Sequence, residues 1–168
     1  MNINHIKLNV SLLTDLYTNT LIEAKDTVES QLSKKKLESS WKYVGENEKN
    51  ILMLVSYPEQ DELSNEQFSF LKSLLSACKI SLSDVVVMNL SQNTTTDYKS
   101  LKENFKSQTI FLFGIEPSIL GMPLNFPQFQ VQSFDHCTFL YSPTLDELEK
   151  DKVLKSKIWV CLRRIFSI

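Results

Sequence analysis

The chain has 168 residues, 42% hydrophobic and 23% charged, enough to bury one proper core without metal or disulfide staples. Its 18 basic and 20 acidic side chains leave a net charge of −2, which argues against a surface given over as a whole to nucleic acid and leaves room only for a local basic patch. Three glycines and five prolines exclude a linker or low-complexity tract. The three cysteines, Cys78, Cys137 and Cys161, lie in apolar surroundings and read as reduced, buried thiols of a cytosolic protein. No basic-then-apolar signal pattern opens the chain, and the apolar runs of about five residues fall far short of the ~20 needed for a membrane span. A cytoplasmic protein with no membrane segment is expected.

In chain order, Leu8, Leu12, Leu13, Leu16 and Tyr17 recur at helical spacing, as do Leu21, Ile22, Val28 and Leu32. One or two amphipathic helices are predicted there. The basic stretch Lys34-Lys35-Lys36, then Trp41-Lys42-Tyr43-Val44-Gly45 and the polar residues 46–50, read as a connector or surface segment. From residue 51 the pattern turns to alternating strands and helices. Ile51–Val55 is an apolar run suited to a strand buried on both faces. Ser64 with Gln67 forms a capping-box signature, and the helix behind it carries Phe68, Leu71, Leu74, Leu75 and Cys78 on its apolar side.

Val85–Leu90 reads as a second strand and Ser91–Thr96 as a polar loop. A helix from about Asp97 to Phe105 follows, then a third strand at Thr109–Phe113 stopped by Gly114. Phe129–Phe134 alternates like an edge strand, and Cys137–Tyr141 is the last strand. Ser142-Pro143 opens a helix that runs to about Phe166 with a break near Lys150. Strands alternating with helices predict a parallel sheet covered on both sides. The expected fold is therefore a three-layer α/β/α sandwich with a four- to five-stranded, mainly parallel sheet. It forms one domain, with residues 1–50 as helices and connector and 51–168 as the α/β core.

Motifs for common chemistries are missing. There is no GxGxxG, no GxxxxGK[ST] and no GxSxG, and no His/Cys cluster at metal-ligand spacing. No cofactor or metal is expected. His136-Cys137 cannot act as a nucleophile pair, because neighbours on a strand point to opposite faces; a buried Cys beside a strand-start His is the ordinary reading. Glu59, Asp61 and Glu62 follow the first strand, where α/β proteins place sites. Acids there also simply complement a helix N-terminus, which is the commoner case.

The segment Ile115 to Leu124 is rich in Pro and apolar residues. It reads equally as a functional loop and as a packed connector covering the sheet edge. On the last helix, Leu154, Ile158, Cys161, Leu162 and Ile165 make a core stripe. Lys152, Lys155, Lys157, Arg163 and Arg164 make a basic remainder, more often a solvated face than a phosphate site. Trp159 beside them is core filler or an interface anchor. Lys35 and Lys36 with Trp41 and Tyr43 have the composition of a docking peptide, or of a surface turn whose aromatics pack back on the domain.

Three stretches carry a family resemblance: Lys49 to Val55; Leu74 to Val85; and Tyr141-Ser142-Pro143-Thr144-Leu145-Asp146-Glu147-Leu148 with Lys155-Ser156-Lys157-Ile158-Trp159. Together they resemble the psi subunit of bacterial DNA polymerase III, an accessory of the clamp loader, over about half of the chain. The same scaffold resembles the uracil-DNA glycosylase fold. In that fold a Gly-x-Asp-Pro-Tyr type loop follows the first strand; here the position reads Val55-Ser56-Tyr57-Pro58-Glu59-Gln60-Asp61. A His-Pro-Ser type loop follows the last strand; here Tyr141 stands at the His position before Ser142 and Pro143. A phenol with a pKa of about 10 cannot replace a near-neutral imidazole.

The resemblance thus implies a glycosylase-like domain with vestigial loops at Ser56, Tyr57, Pro58, Glu59, Asp61, Tyr141, Ser142 and Pro143. It implies no catalytic residue, and a role as a non-catalytic binding accessory to clamp-loader or other replication proteins, with direct DNA binding weak or absent. The docking residues expected are Lys35, Lys36, Trp41, Tyr43 and Trp159. The alternatives are a diverged glycosylase-fold enzyme on damaged bases, with Glu59 or Asp61 activating water and a pocket between the two loops, or an α/β ligand- or protein-binding domain outside replication.

Overall fold

A computed structural model describes residues 41–60, 62–93 and 97–168, all within one compact unit. The helices predicted between residues 8 and 32, the Lys34–Lys36 run and Asp61 lie outside the described residues. The fold is mixed α/β around one six-stranded sheet in the order β1-β3-β2-β4-β6-β5. The strands are β1 (Tyr43–Val44), β2 (Ile51–Val55), β3 (Val85–Asn89), β4 (Thr109–Phe113), β5 (Val131–Phe134) and β6 (Cys137–Ser142). The central four are parallel, whereas β1 and β5 close the two edges antiparallel.

The sheet therefore has six strands rather than the four or five expected. The additional one is β1, whose two residues are too few to leave a periodic signature. It exists because the edge of β3 holds it: Tyr43 pairs with Met88 and Val44 with Val87. Gly45 lets the chain touch β3 directly. Its φ is +108°, and a Cβ there would lie 2.0 Å from the Val85 carbonyl oxygen.

Alternation along the central strands sends side chains to two cores. On one face Ile51, Met53, Val55, Val87, Phe111 and Leu140 pack under helices α1 (Asn65–Ala77), α3 (Leu145–Lys150) and α4 (Lys152–Phe166). On the other, Leu52, Leu54, Met88, Ile110, Leu112 and Phe139 meet helix α2 (Tyr98–Phe105) and the segment from Ile115 to Phe126. That segment forms a 3-10 turn at Pro117–Leu120 and buries Ile115, Leu120, Met122 and Phe126. It is a packed connector, lying over a sheet face rather than over an edge.

Helix boundaries follow the capping chemistry. The Ser64–Gln67 box starts α1: the Ser64 hydroxyl accepts from the Gln67 amide and Gln67 Oε1 accepts from the Ser64 amide at 3.0 Å. Thr144 and Glu147 repeat the device at α3. The expected break in the last helix falls at Asp151, whose Oδ1 accepts from the amides of Val153 at 2.7 Å and Leu154 at 3.3 Å, so α4 starts afresh. No helix among the described residues is long and apolar enough to cross a membrane. The three cysteines are free and buried, as the sequence led us to expect.

Candidate functional site

From β2 the chain steps outward to β3, then returns past β2 to β4. The carboxyl ends of β2 and β4 therefore flank a switch point, the usual ligand position in open α/β sheets. Asn89, the last residue of β3, organises the loop after β2. Its Oδ1 accepts from the Tyr57 amide at 3.0 Å, and its Nδ2 donates to the carbonyls of Tyr57 at 2.9 Å and Gln60 at 2.8 Å. Ser56 and Ser91 share a hydroxyl–hydroxyl hydrogen bond of 3.0 Å. Asn93 extends the same scaffold: its Nδ2 donates to the Asn89 carbonyl at 2.9 Å, and its Oδ1 accepts from the Lys42 amide at 3.3 Å. The strap before β1 is thereby tied to the end of β3.

The start of α3, after β6, meets both α1 and the loop after β2 through Asp146. Gln67 Nε2 donates to both Asp146 carboxylate oxygens, at 3.1 and 3.0 Å. The Tyr57 hydroxyl is buried beside that carboxylate without a well-formed hydrogen bond. Burial first, and then the approach of the phenol to the Asp146 carboxylate, as hydrogen-bond acceptor and as charge, push it well above its ordinary pKa. It stays protonated at any physiological pH. The Gly114 amide donates to the Ser142 carbonyl at 2.8 Å, locking the end of β4 to that of β6.

The residues singled out from the sequence are not gathered into one constellation. Tyr57 packs against the core under α1, whereas Tyr141 packs against the core on the opposite face of the sheet. Ser142 is buried, and its hydroxyl donates to the Pro143 carbonyl at 3.2 Å. Pro58 and Glu59 are exposed. Asp61, Lys35 and Lys36 lie outside the described residues. Among the described residues, no group of three His, Cys, Asp or Glu side chains is placed to hold a metal ion.

Trp41 is half-buried and stacks on Phe105, with ring centroids 5.4 Å apart and planes at 27°. Tyr43 meets the same ring edge-on at 5.2 Å and 86°, yet keeps 38% of its surface exposed; Val44 keeps 44%. Beside β1 opens a cleft of about 960 Å³. Val55, Val87, Leu63 and Phe68 give its apolar walls, and Lys42, Glu62, Asn65 and Asn89 its polar ones. It lies on the β3 side of β2, and neither Tyr141, Ser142 nor Pro143 lines it. Trp159 does not line this cleft and is half-buried in a groove between α1 and α4.

Asn89, Asn93 and Asp146 were not singled out from the sequence. One signal was there: Asn89 is a polar residue closing the apolar run Val85-Val86-Val87-Met88, and buried polar groups need partners. Gln67 was read only as half of a capping box, while its other amide end holds Asp146. No protein-family model matches the chain, and neither does any curated protein.

Proposed function

We propose that this chain is a non-catalytic, protein-binding accessory on a three-layer, uracil-DNA glycosylase-like scaffold, of the kind implied by its resemblance to the psi subunit. The observation that carries the reading is the use made of the loops after β2 and β6. Asn89 holds the loop after β2 at Tyr57 and Gln60, Ser142 bonds to Pro143 after β6, and Gln67 of α1 holds Asp146 of α3, while the Tyr57 hydroxyl and Gln60 Oε1 are buried without a partner among the described residues. Tyr57 and Tyr141 are divided between the two faces of the sheet, which speaks against a flipped-base site built on both. The cleft opens instead beside β1, where Tyr43 and Val44 offer an exposed aromatic and an exposed aliphatic side chain. Such pairs on a rigid edge suit an interface anchor. The partner class that the resemblance supplies is a clamp-loader or other replication protein of the cytoplasm.

The test is an affinity capture of the tagged full chain from its native cytosol, beside a Tyr43→Ser/Val44→Asp variant. These exposed positions are preferred to Trp41, whose stacking on Phe105 would confound docking with folding. Clamp-loader subunits are expected with the wild type and lost with the variant. Absence of every replication protein overturns the reading. A uracil-excision assay should show no turnover; excision abolished by Asp146→Asn would instead establish an enzyme.

A further inference from the structure

The groove between α1 and α4 takes no part in the arrangement at the carboxyl edge of the sheet. Its floor and walls are Phe70, Leu74, Ala77, Ile158 and Trp159, and its volume is about 350 Å³. Lys155 stands at its rim, with Nζ 5.4 Å from the centre of the Phe70 ring. The ammonium is thus held over an aromatic face at the mouth of an apolar slot.

Charge is segregated around this slot. The chain as a whole carries −2, yet α4 contains Lys152, Lys155, Lys157, Arg163 and Arg164 and no acidic residue. At 3.6 residues per turn, Lys152, Lys155, Trp159 and Arg163 fall within an arc of about 80° of the helix. Both ion pairs among the described residues lie elsewhere, Lys49–Asp84 and Lys102–Asp135. Arg163 spends its Nε on the Ile168 carbonyl at 3.3 Å, capping the helix end; none of the five cations forms an ion pair with a carboxylate among the described residues. The slot is therefore a largely apolar floor, with Ser73 and Ser156 also lining it, edged by Lys155, and Lys152 and Arg163 share that face of α4.

We propose that this groove docks an acidic peptide segment of a partner protein, one large apolar side chain entering the slot while flanking carboxylates meet Lys152, Lys155 and Arg163. Its complement must be both apolar and anionic, and an acidic peptide with an aromatic or aliphatic anchor is both. A second copy of this chain would set the same cations against each other. A nucleic-acid strand would supply the charge, but this slot is a side-chain-sized gap between two helices rather than an extended basic track. The inference rests on the protein-binding reading of the domain. It does not rest on the partner being a replication protein, nor on the β1 cleft.

The experiment uses the full chain carrying Trp41→Phe, which leaves Trp159 as the sole tryptophan. The probe is a synthetic nine-residue peptide with a central Phe between runs of aspartate. Two control peptides replace the Phe by Ser or the aspartates by Lys. Titration at low salt is expected to shift Trp159 emission saturably, with both controls at least ten-fold weaker. Lys155→Glu, a substitution at the solvent-facing rim, should weaken binding at least ten-fold while leaving the far-ultraviolet spectrum and Tm unchanged. Unchanged emission throughout the titration overturns the proposal, as does full binding by Lys155→Glu. Equal competition by an oligothymidylate of the same charge also overturns it, by making the site a general polyanion surface. Loss of replication proteins from the affinity capture, with peptide binding intact, would sink the clamp-loader reading alone.

Discussion

Asp84 fastens two segments with one carboxylate oxygen: Oδ2 accepts from the Ser81 amide at 2.8 Å and from Lys49 Nζ at 2.9 Å. The Ser81 amide first, and Lys49 second, hold its carboxyl below the usual range. Lys102 does the same for Asp135, and Ser100 for Asp97 at the N-cap of α2. A lowered pKa in the folded state means that the unfolded chain takes up the proton first. The contribution of these groups is therefore complete above the unfolded carboxylate pKa of about 4 and disappears as pH falls through the folded values. Urea midpoints should be level from pH 7 down to about 5 and fall progressively below about 4. Asp84→Asn should flatten that acid limb, and an unchanged limb would remove Asp84 from the account. Burial pushes the Cys137 thiol up to about 11, so at pH 8 its reactive thiolate is scarce. Iodoacetamide should leave Cys137 unmodified in the native protein and label it fully in denaturant, read by mass spectrometry.

At the scale of elements, the β5–β6 hairpin turns on Asp135 and His136, both left-handed, with φ of 50° and 57°. Two-residue turns of this hand favour Asn-Gly or Asp-Gly. His136 is exposed and pays the strain of a Cβ at positive φ. Replacing it by Gly while keeping Asp135, which pairs with Lys102 at 2.7 Å, should stabilise by about 1 kcal/mol and raise Tm by a few degrees. Ser64→Ala should act in the opposite sense, costing about 1 kcal/mol through the lost cap of α1. Both are readable by thermal melts.

The elements also differ in how plainly the sequence announced them. Ile51–Val55, Val85–Asn89 and Thr109–Phe113 were legible because strands buried on both faces are continuous apolar runs. The cap at Ser64 was legible because capping is local chemistry. Strand β1 was not, since two residues show no period and their pairing is decided by a β3 edge some forty-four residues away.

At the scale of the molecule the same contrast governs the candidate site. Sequence order placed both loops at the carboxyl edge, but not what joins them. The Gln67–Asp146 contact spans 79 positions and the Asn89–Tyr57 contact 32, and no local pattern encodes such meetings. Nor did alternation along the last strand reveal that Tyr57 and Tyr141 would serve opposite cores. Asn89 is 8% exposed, and its side chain holds the loop after β2 at Tyr57 and Gln60. Asn89→Ala should therefore cost about 2–3 kcal/mol, because the Tyr57 amide and the Gln60 carbonyl lose a buried partner. It should also raise amide hydrogen exchange in residues 56–60 while leaving the exchange of β2 slow. A variant as stable as the wild type would remove Asn89 as the organiser.

Strand β1 has a mechanical consequence. Among the described residues, β1 is a two-residue strand paired on one side, whereas β2, β3, β4 and β6 are each gripped by neighbours on both sides. A load applied at Trp41 meets this short seam and the Trp41 and Lys42 contacts beside it before the central strands. The seam can peel, Gly45 acting as its hinge, before tension reaches the central strands. The attachment behaves as a fuse, releasing at low force and sparing the body of the domain.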